Sequence, residues 1–366
     1  MNTDLRGQLI MTGVPGKELD AKTAQLFRRV QPGAFILFGR NIESASQLRK
    51  LIDDLRDLSE IEPIITIDQE GGRVSRLRLI GNEPPNAQQL RDKGDVDLIR
   101  RHGEITGRLL RLFGFNLDLC PVLDISFNDD AENSLRGRCY GRTVDEVIRN
   151  AAAFNDAMRG EGIASCGKHF PGYSAATSDA HYQLPRIRRT REQLDQNELA
   201  VFRAFMSAVN SMMICHGWYP CFESNQMPAT LSHSVITELL RDEMGFDGLI
   251  MTDDLDMGAI LNGYRLEDAI RSGVSAGNDI VMICHRIPEI ETVHQILGTL
   301  PSDQIERAQQ HVSRLKKKLS SPHKFSETAF RDINNEIRDL RIEVVGEEDT
   351  AQPIIPERKV SPVERF

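Results

Sequence analysis

Short apolar runs alternate with longer helical patterns along most of the chain. Each run is nearly continuous in apolar residues, which is typical of strands that are buried on both faces of a sheet. Eight runs are predicted to be strands: residues 8–12, 34–38, 64–67, 117–123, 163–168, 211–216, 249–252 and 279–284.

The segments between these runs carry helical patterns. Residues 44–58 place Leu and Ile side chains at helical spacing behind a Ser44/Gln47 capping box, and Thr143 with Glu146 opens another helix. A third pattern covers residues 234–244 and stops at Gly245. Eight strands separated by helices predict an α/β fold, a closed (β/α)8 barrel of the TIM type, with a doubly wound open sheet as the alternative.

The length of 366 residues fits a single barrel with an extension. Residues 1–320 are predicted to form the barrel, which would be the catalytic domain. Residues 321–342 are predicted to form a charged helical extension, because they contain the segment RDINNEIRDLR. The last stretch, residues 343–366, shows no period and is predicted to be a disordered tail.

Charge and cysteine content exclude several classes of function. The chain has 45 Lys and Arg against 54 Asp and Glu, a net charge of −9, so we expect neither a nucleic-acid partner nor a membrane surface. The six cysteines form no CxxC pair, which indicates reduced thiols. Asp4 stands where a signal peptide would be basic, and no apolar run is long enough to span a bilayer. These features predict a cytoplasmic protein.

Polar residues follow five of the predicted strands directly. In a parallel barrel the carboxyl ends of the strands form the active site, so these residues are expected to line one pocket. A single acid at such a position often only caps the next helix, but five strands ending in polar residues predict a polar pocket. They are Asp68 to Arg73, Asp124, Lys168 with His169, His216, and Asp253 with Asp254.

The motifs that are missing narrow the kind of pocket. The chain has no GxGxxG, GxxxxGK[ST] or HExxH pattern, so we expect no nucleotide cofactor and no metal. Acids and histidines from different strands could still converge on a metal, since such ligands need no motif. Carboxylates, Lys, Arg and His without a phosphate cradle suit a neutral ligand with many hydroxyl groups.

Two segments carry the candidate chemistry. In GFDGLIMTDDLDM, a strand delivers Asp253 and Asp254 in succession, and because side chains alternate along a strand, one should face the opening while the other orients a neighbour. In KHFPGYSAATSDAHYQLP, a run of small residues leads to Asp179 and His181. Small side chains make few contacts, so this loop is predicted to move and to carry His181 into the site. The alternative is a plain surface loop with an idle histidine.

The segments IDQEGGRVSRL, CPVLDIS, GRCYG, KHFPG with a downstream Asp-x-His, and GFDGLIMTDDLDM resemble glycoside hydrolase family 3 in order and approximate spacing. The resemblance covers residues 7–319. Because the chain has the Asp-x-His and no room for a second domain, it resembles the single-domain bacterial β-N-acetylglucosaminidases of cell-wall recycling.

The resemblance implies a retaining β-N-acetylhexosaminidase that removes terminal N-acetylglucosamine from peptidoglycan-derived fragments. By that resemblance Asp253 is the nucleophile, and His181, bonded to Asp179, is the general acid/base. The protein is expected to need no cofactor, to bind a carbohydrate and to be a monomer. The implied sugar-binding residues are Asp68, Arg76, Arg138, Lys168 and His169.

The chain departs from the family pattern at three places. Tyr173-Ser174 replaces the usual His-Gly after KHFPG, Ala180 replaces Ser in the Asp-x-His, and Cys139-Tyr140 replaces Ser-Phe. Two alternatives stay open: a phosphorylase on the same scaffold, and a sugar-binding regulator that has lost turnover, with Tyr173 as the lesion.

Overall fold

Eight parallel strands form a closed barrel in the computed structural model, which describes residues 5–130, 134–176 and 178–347. The order around the barrel is β1, β2, β3, β6, β7, β8, β9, β10 and back to β1, and β4 pairs with β5 in a separate hairpin. The prediction of a (β/α)8 barrel is therefore confirmed, and the open sheet is excluded. The strands are β1 Ile10–Gly13, β2 Ala34–Leu37, β3 Ile64–Ile67, β4 Gln69–Gly71, β5 Val74–Ser75, β6 Leu117–Asp118, β7 Ala164–Phe170, β8 Ser211–Ile214, β9 Leu249–Asp254 and β10 Ile280–Ile283.

Each of the eight predicted runs overlaps one barrel strand, although some ends differ. The run 117–123 is a strand only over β6, and beyond it Val122 pairs with Lys168 as an isolated bridge. Strands β7 and β9 extend two residues past their predicted ends, so they carry His169 and Asp254 themselves. The β4–β5 hairpin was not predicted, because its short strands have no apolar run.

The helices cover the outside of the barrel. The predicted capping box is present: Ser44 Oγ accepts a hydrogen bond from Gln47 N at 3.2 Å, and Thr143 Oγ1 accepts one from Glu146 N at 3.3 Å. The predicted third helix is a π-helix, Ser234–Glu243. The α-helices are α1 Ala21–Val30, α2 Ala45–Asp57, α3 Ala87–Lys93, α4 Val96–Phe113, α5 Val144–Gly160, α6 Arg191–Gln196, α7 Glu198–Ala204, α8 Gly258–Leu261, α9 Leu266–Ala276, α10 Ile290–Leu297, α11 Ser302–Lys316 and α12 Glu327–Val345.

The predicted C-terminal extension packs on the barrel. It is helical over α12, which begins later and ends later than residues 321–342. Its Phe330 ring lies 5.4 Å from the ring of Phe113 in α4, and Ile333, Ile337 and Leu340 are buried. Of the predicted tail, residues 343–345 instead belong to α12, and residues 348–366 lie outside the described residues.

The interior of the barrel is filled by apolar side chains such as Met11, Ile36, Met213 and Met282. Five of the six cysteines are buried and Cys221 is exposed; all six are free thiols. In the described part of the chain, no helix combines the length and the apolar character needed to cross a membrane.

Candidate active site

Strand β9 ends in the two acids that the sequence singled out, and they differ in environment. Asp253 is partly exposed, whereas Asp254 is buried. The backbone N–H of Asp254 donates to Asp253 Oδ1 at 2.8 Å, and Asp254 Oδ1 accepts from the N–H groups of Asp256 and Cys284. Burial, together with the nearby Asp256 carboxyl, raises the pKa of Asp254 well above its ordinary value. Asp253 therefore faces the opening while Asp254 holds the strand ends together.

The loop after β7 brings Asp179 and His181 into direct contact. The His181 backbone N–H and the ring Nδ1 both lie within hydrogen-bond distance of Asp179 Oδ1, at 3.0 and 2.7 Å. A carboxylate can only accept, so the proton of this bond belongs to Nδ1 and Nε2 is left for a reacting group. The His181 side chain is 39% exposed, so a substrate can reach it.

Hydrogen bonds join this loop to the segment that follows the Asp253 strand. Gly258 N donates to His181 O at 3.2 Å, and Ala259 N donates to Ala180 O at 3.0 Å. A Cβ on Gly258 would lie 2.8 Å from His181 O, so the close approach requires glycine. The acid/base candidate and the nucleophile candidate are thus held by one connected piece of backbone.

Tyr173, the clearest departure from the family pattern, supports the loop from below. Its ring is buried, and its N–H donates to Asp124 Oδ1 at 2.6 Å. Its hydroxyl donates to Ser178 O at 2.9 Å and accepts from Ala180 N at 3.0 Å. Tyr173, at the start of the loop, therefore links Asp124 to Ala180, the residue before His181.

A chain of ion pairs connects four of the predicted sugar-binding residues. Asp68 lies 3.5 Å from Arg76 Nη2 and 2.7 Å from Lys168 Nζ. Lys168 also contacts Glu70 at 2.7 Å, and Arg138 donates two hydrogen bonds of 2.7 Å to the Glu70 carboxylate. The structure thus joins these four residues in one network, in which Glu70 links Lys168 to Arg138.

The charges in this network stabilise one another. Burial alone would raise the pKa of Glu70, but Arg138 and Lys168 offset it and hold that pKa well below its ordinary value. In the same way burial would lower the pKa of Lys168, but Asp68 and Glu70 raise it above its ordinary value. Each member keeps its charge because its partners are charged.

The fifth predicted binding residue, His169, is fixed from both sides. Its Nδ1 lies 2.7 Å from Asp124 Oδ2, and its Nε2 lies 3.4 Å from Arg138 Nη2. Asp124 also accepts the Tyr173 N–H, so its carboxylate contacts both His169 and the start of the loop that carries His181.

His216, which follows β8, contacts the end of β9. Its Nε2 lies 2.8 Å from Asp254 O. Burial lowers the pKa of His216, the Asp253 carboxylate opposes that effect, and His181 and His169 add to it. Electrostatic influence of this kind falls off with distance, so the charges of these site residues act on His216.

Five residues of this site had no predicted role. Glu70, Asp124 and His216 were recognised as strand-end residues but not assigned, and their importance lies in contacts across the barrel. The strand-end rule applied to β2 and β10 would have found Arg40 and His285, which lie 3.0 Å apart. Over the ranges 5–130, 134–176 and 178–347, no three His, Cys, Asp or Glu side chains lie close enough together to hold a metal ion.

The family model for the "glycosyl hydrolase family 3 N terminal domain" matches residues 3–315. The chain belongs to glycosyl hydrolase family 3. A beta-hexosaminidase of Vibrio cholerae is 33% identical to this family 3 chain over 300 residues, which are 81% of the chain and 87% of the relative.

Two solved structures are also similar, the first of them a glycoside hydrolase family 3 enzyme. The β-N-acetylglucosaminidase of Paenibacillus superposes with a TM-score of 0.83 at 31% identity, covering 93% of this chain and 69% of the other. NagZ from Neisseria gonorrhoeae has a TM-score of 0.78 at 27% identity, covering 91% of this chain and 97% of the other. The predicted family is confirmed.

Proposed function

We propose that this family 3 chain is a retaining β-N-acetylhexosaminidase that removes terminal β-linked N-acetylglucosamine. Asp253 is the nucleophile, and the Asp179–His181 pair is the acid/base. The observation that carries the proposal is the accessible carboxylate of Asp253 together with the imidazole of His181, which is bonded to Asp179. Backbone hydrogen bonds join the loop of His181 to α8, the helix that follows β9. The activity named for the relatives supports the same function.

In the first step, a carboxylate oxygen of Asp253 attacks the anomeric carbon. Asp253 Oδ1 accepts the Asp254 N–H, so Oδ2 is the oxygen free to attack. His181, protonated on both nitrogens, donates the Nε2 proton to the leaving oxygen, and the bond to the leaving group breaks. Asp179 stabilises the charged imidazolium before the transfer and keeps the ring oriented.

In the second step, the neutral Nε2 of His181 takes a proton from water. The resulting hydroxide attacks the anomeric carbon, the bond to Asp253 breaks, and the sugar leaves with its original configuration. One imidazole thus serves as acid and then as base.

The charged network holds the sugar before either step. Asp68 accepts from ring hydroxyls, and Arg76, Lys168 and Arg138 donate to ring substituents. His169 Nδ1 donates to Asp124, so its Nε2 binds a sugar hydroxyl as an acceptor. Glu70 is different, because both its oxygens are already occupied by Arg138 and Lys168. It positions the donors instead of binding the sugar.

Three finer statements are part of the proposal. The resemblance to cell-wall recycling enzymes supports a peptidoglycan fragment as the natural substrate. A cytoplasmic location and a monomeric state stay predictions from the sequence.

The decisive experiment is an assay of chromogenic β-N-acetylglucosaminide beside β-glucoside and β-N-acetylgalactosaminide, with and without phosphate. We expect the first substrate to be cleaved fastest, and the β-anomer of N-acetylglucosamine to be the first product seen by NMR. A sugar 1-phosphate formed in phosphate would indicate the phosphorylase. Binding of N-acetylglucosamine without turnover of any substrate would indicate the regulator.

A further inference from the structure

His285, two residues past the end of β10, lies against the site without a role in the mechanism above. Its side chain is 7% exposed, and its ring packs 5.1 Å from the ring of Phe38. Its backbone N–H donates to Asp256 Oδ2 at 2.8 Å, so its main chain is fixed at the end of the barrel. The two ring nitrogens have different neighbours, Arg40 at Nδ1 and Asp254 at Nε2.

Arg40, which follows β2, determines which nitrogen carries the proton. Its Nη1 lies 3.0 Å from His285 Nδ1, and its Nε and Nη2 donate to the carbonyl oxygens of Val14 and Cys284. A guanidinium can only donate, so His285 Nδ1 must accept and the proton lies on Nε2. Arg40 itself is fixed by those carbonyl groups.

The Nε2–H of His285 faces Asp254, the residue after the nucleophile. Nε2 lies 3.6 Å from Asp254 Oδ2, while Asp254 Oδ1 is already occupied by the two backbone N–H groups of Asp256 and Cys284. The backbone N–H of Asp254 donates to Asp253 Oδ1. A small shift of Asp254 therefore moves the attacking carboxylate, and misplacement of about 1 Å can cost roughly 100-fold in rate.

We propose that His285 is a positioning residue for Asp253: Arg40 directs its Nε2–H toward Asp254, and Asp254 holds the carboxylate of the nucleophile. The inference rests on the proposed role of Asp253. It adds a side chain that acts through Asp254 and does not touch the sugar.

The charges around His285 favour its neutral form. Burial lowers the pKa of His285, and Arg40, His181 and Arg76 lower it further, to about 3. The acids that face it are Asp254 through Oδ2 and Asp256 through the backbone. His285 is thus neutral near pH 7, and its Nε2–H tautomer is the one that the proposal needs.

The first test is substitution of the ring. His285→Phe keeps the contact with Phe38 but removes Nε2–H, and we expect kcat to fall roughly 10- to 100-fold with KM within about threefold. His285→Gln, which can place an amide N–H near the same point, should restore most of kcat. His233→Phe is the matched control, because His233 is exposed. A wild-type kcat in His285→Phe, or an equal loss in His285→Gln, would overturn the proposal.

The second test is the pH profile of kcat/KM. Arg40→Gln keeps a donor for Nδ1 but removes the charge, so the pKa of His285 rises and a new loss of activity should develop between about pH 4 and 6. The double variant Arg40→Gln/His285→Phe should lack this limb. Identical profiles of the single and double variants would contradict the proposal.

A third readout separates this proposal from the proposed function. Nitrogen NMR of histidine-labelled protein should find His285 in the Nε2–H form in the wild type and titrating in Arg40→Gln, whether or not the protein turns over substrate. The Nδ1–H form in the wild type would overturn the positioning role. An inactive wild type would instead overturn the proposed function.

Discussion

At the scale of single residues, the surroundings of two neighbouring aspartates give them different roles. Asp253 and Asp254 are adjacent and chemically identical, yet one is partly exposed and the other is buried and bonded to two backbone N–H groups. Alternation of side chains along β9 produces this difference. The same alternation predicted from the sequence that one of the two acids faces the opening, while the choice of Asp253 as nucleophile came from the family resemblance.

Asp253→Asn should abolish turnover while leaving the fold intact, because a partly exposed strand-end carboxylate contributes little to the core and an amide is a poor nucleophile. We expect at least a roughly thousandfold fall in kcat, with an unchanged unfolding midpoint. A slowly reacting fluorinated sugar should label the peptide that contains Asp253 in the wild type, as read by mass spectrometry. Asp242→Asn, on the exposed side of the π-helix, is the control. A label on another peptide would contradict the assignment.

His181→Ala should slow substrates with poor leaving groups most, because their oxygen needs a proton in order to leave. For a glycoside of an acidic phenol the first step should fall little, whereas for a disaccharide we expect a loss of roughly 100-fold or more. Asp179→Ala should show the same pattern more mildly. The measurement is a plot of rate against the acidity of the leaving group, and an equal loss for every substrate would indicate that His181 only binds.

The residues that sequence reasoning did not assign share one property. Arg40 and His285 are 245 positions apart in the chain and meet because the barrel closes between β1 and β10. Glu70 gains its role from Arg138, in the segment between β6 and α5, and from Lys168, within β7. A contact across the barrel depends on closure and rotamers, and neither is visible in a local pattern.

At the scale of elements, the strands were predictable because a buried parallel strand is a continuous apolar run. Their ends were less so: Asp254 and His169 lie within β9 and β7, since backbone pairing continues into polar sequence. The small residues of the loop after β7 predicted movement. The structure shows what restrains that loop, namely the Tyr173 hydroxyl and the bonds to α8.

Tyr173→Phe tests that restraint by removing only the hydroxyl. The bonds to Ser178 O and Ala180 N are lost, so the segment before His181 should sample more positions. We expect kcat to fall roughly three- to tenfold and KM to change as well, because the loop must be ordered to bind and to react. Hydrogen exchange over residues 170–182, with and without N-acetylglucosamine, should show faster exchange in the variant. Unchanged kinetics and exchange would show that the hydroxyl does not restrain the loop.

At the scale of the whole molecule, α12 is part of the fold although the sequence set it apart. It covers α4 with Phe330, Ile333, Ile337 and Leu340, and Arg341 lies 3.2 Å from Glu83. Glu83 also pairs with Arg78, two residues from Arg76. The charged pattern predicted a helix, but its docking surface depends on the barrel and was not predictable from the segment alone.

Ile337→Ala should therefore destabilise the protein by about 2–4 kcal/mol, because it leaves a cavity between α12 and the barrel. Chemical denaturation measures the change. The kinetics below the unfolding transition should stay as in the wild type, since Ile337 does not contact the site. Asp339→Ala, at a largely exposed position on the same helix, should change the free energy of unfolding by less than about 0.5 kcal/mol. A loss of kcat in folded Ile337→Ala would indicate that α12 acts on the site.

Glu198 makes the stability of the whole fold depend on pH. Its side chain is buried, both oxygens lack a hydrogen bond, and Arg189 Nε lies 3.5 Å away. Burial raises the pKa of Glu198 from 4.5 to about 7, so the folded state holds its proton more tightly than the unfolded state. The free energy of unfolding should fall as the pH rises from the unfolded pKa to the folded pKa, and should level off above it.

Glu198→Gln removes this titration, so its stability relative to the wild type should increase by about 1–3 kcal/mol between roughly pH 4.5 and pH 8. An unpaired amide destabilises the variant by an amount that does not depend on pH. The quantity to measure by urea unfolding is therefore the change, between the two pH values, in the difference in unfolding free energy between variant and wild type. Glu192→Gln, an exposed neighbour on α6, should show no such difference. If wild type and Glu198→Gln change in parallel with pH, then Glu198 is ionised in the folded protein and Arg189 offsets its burial.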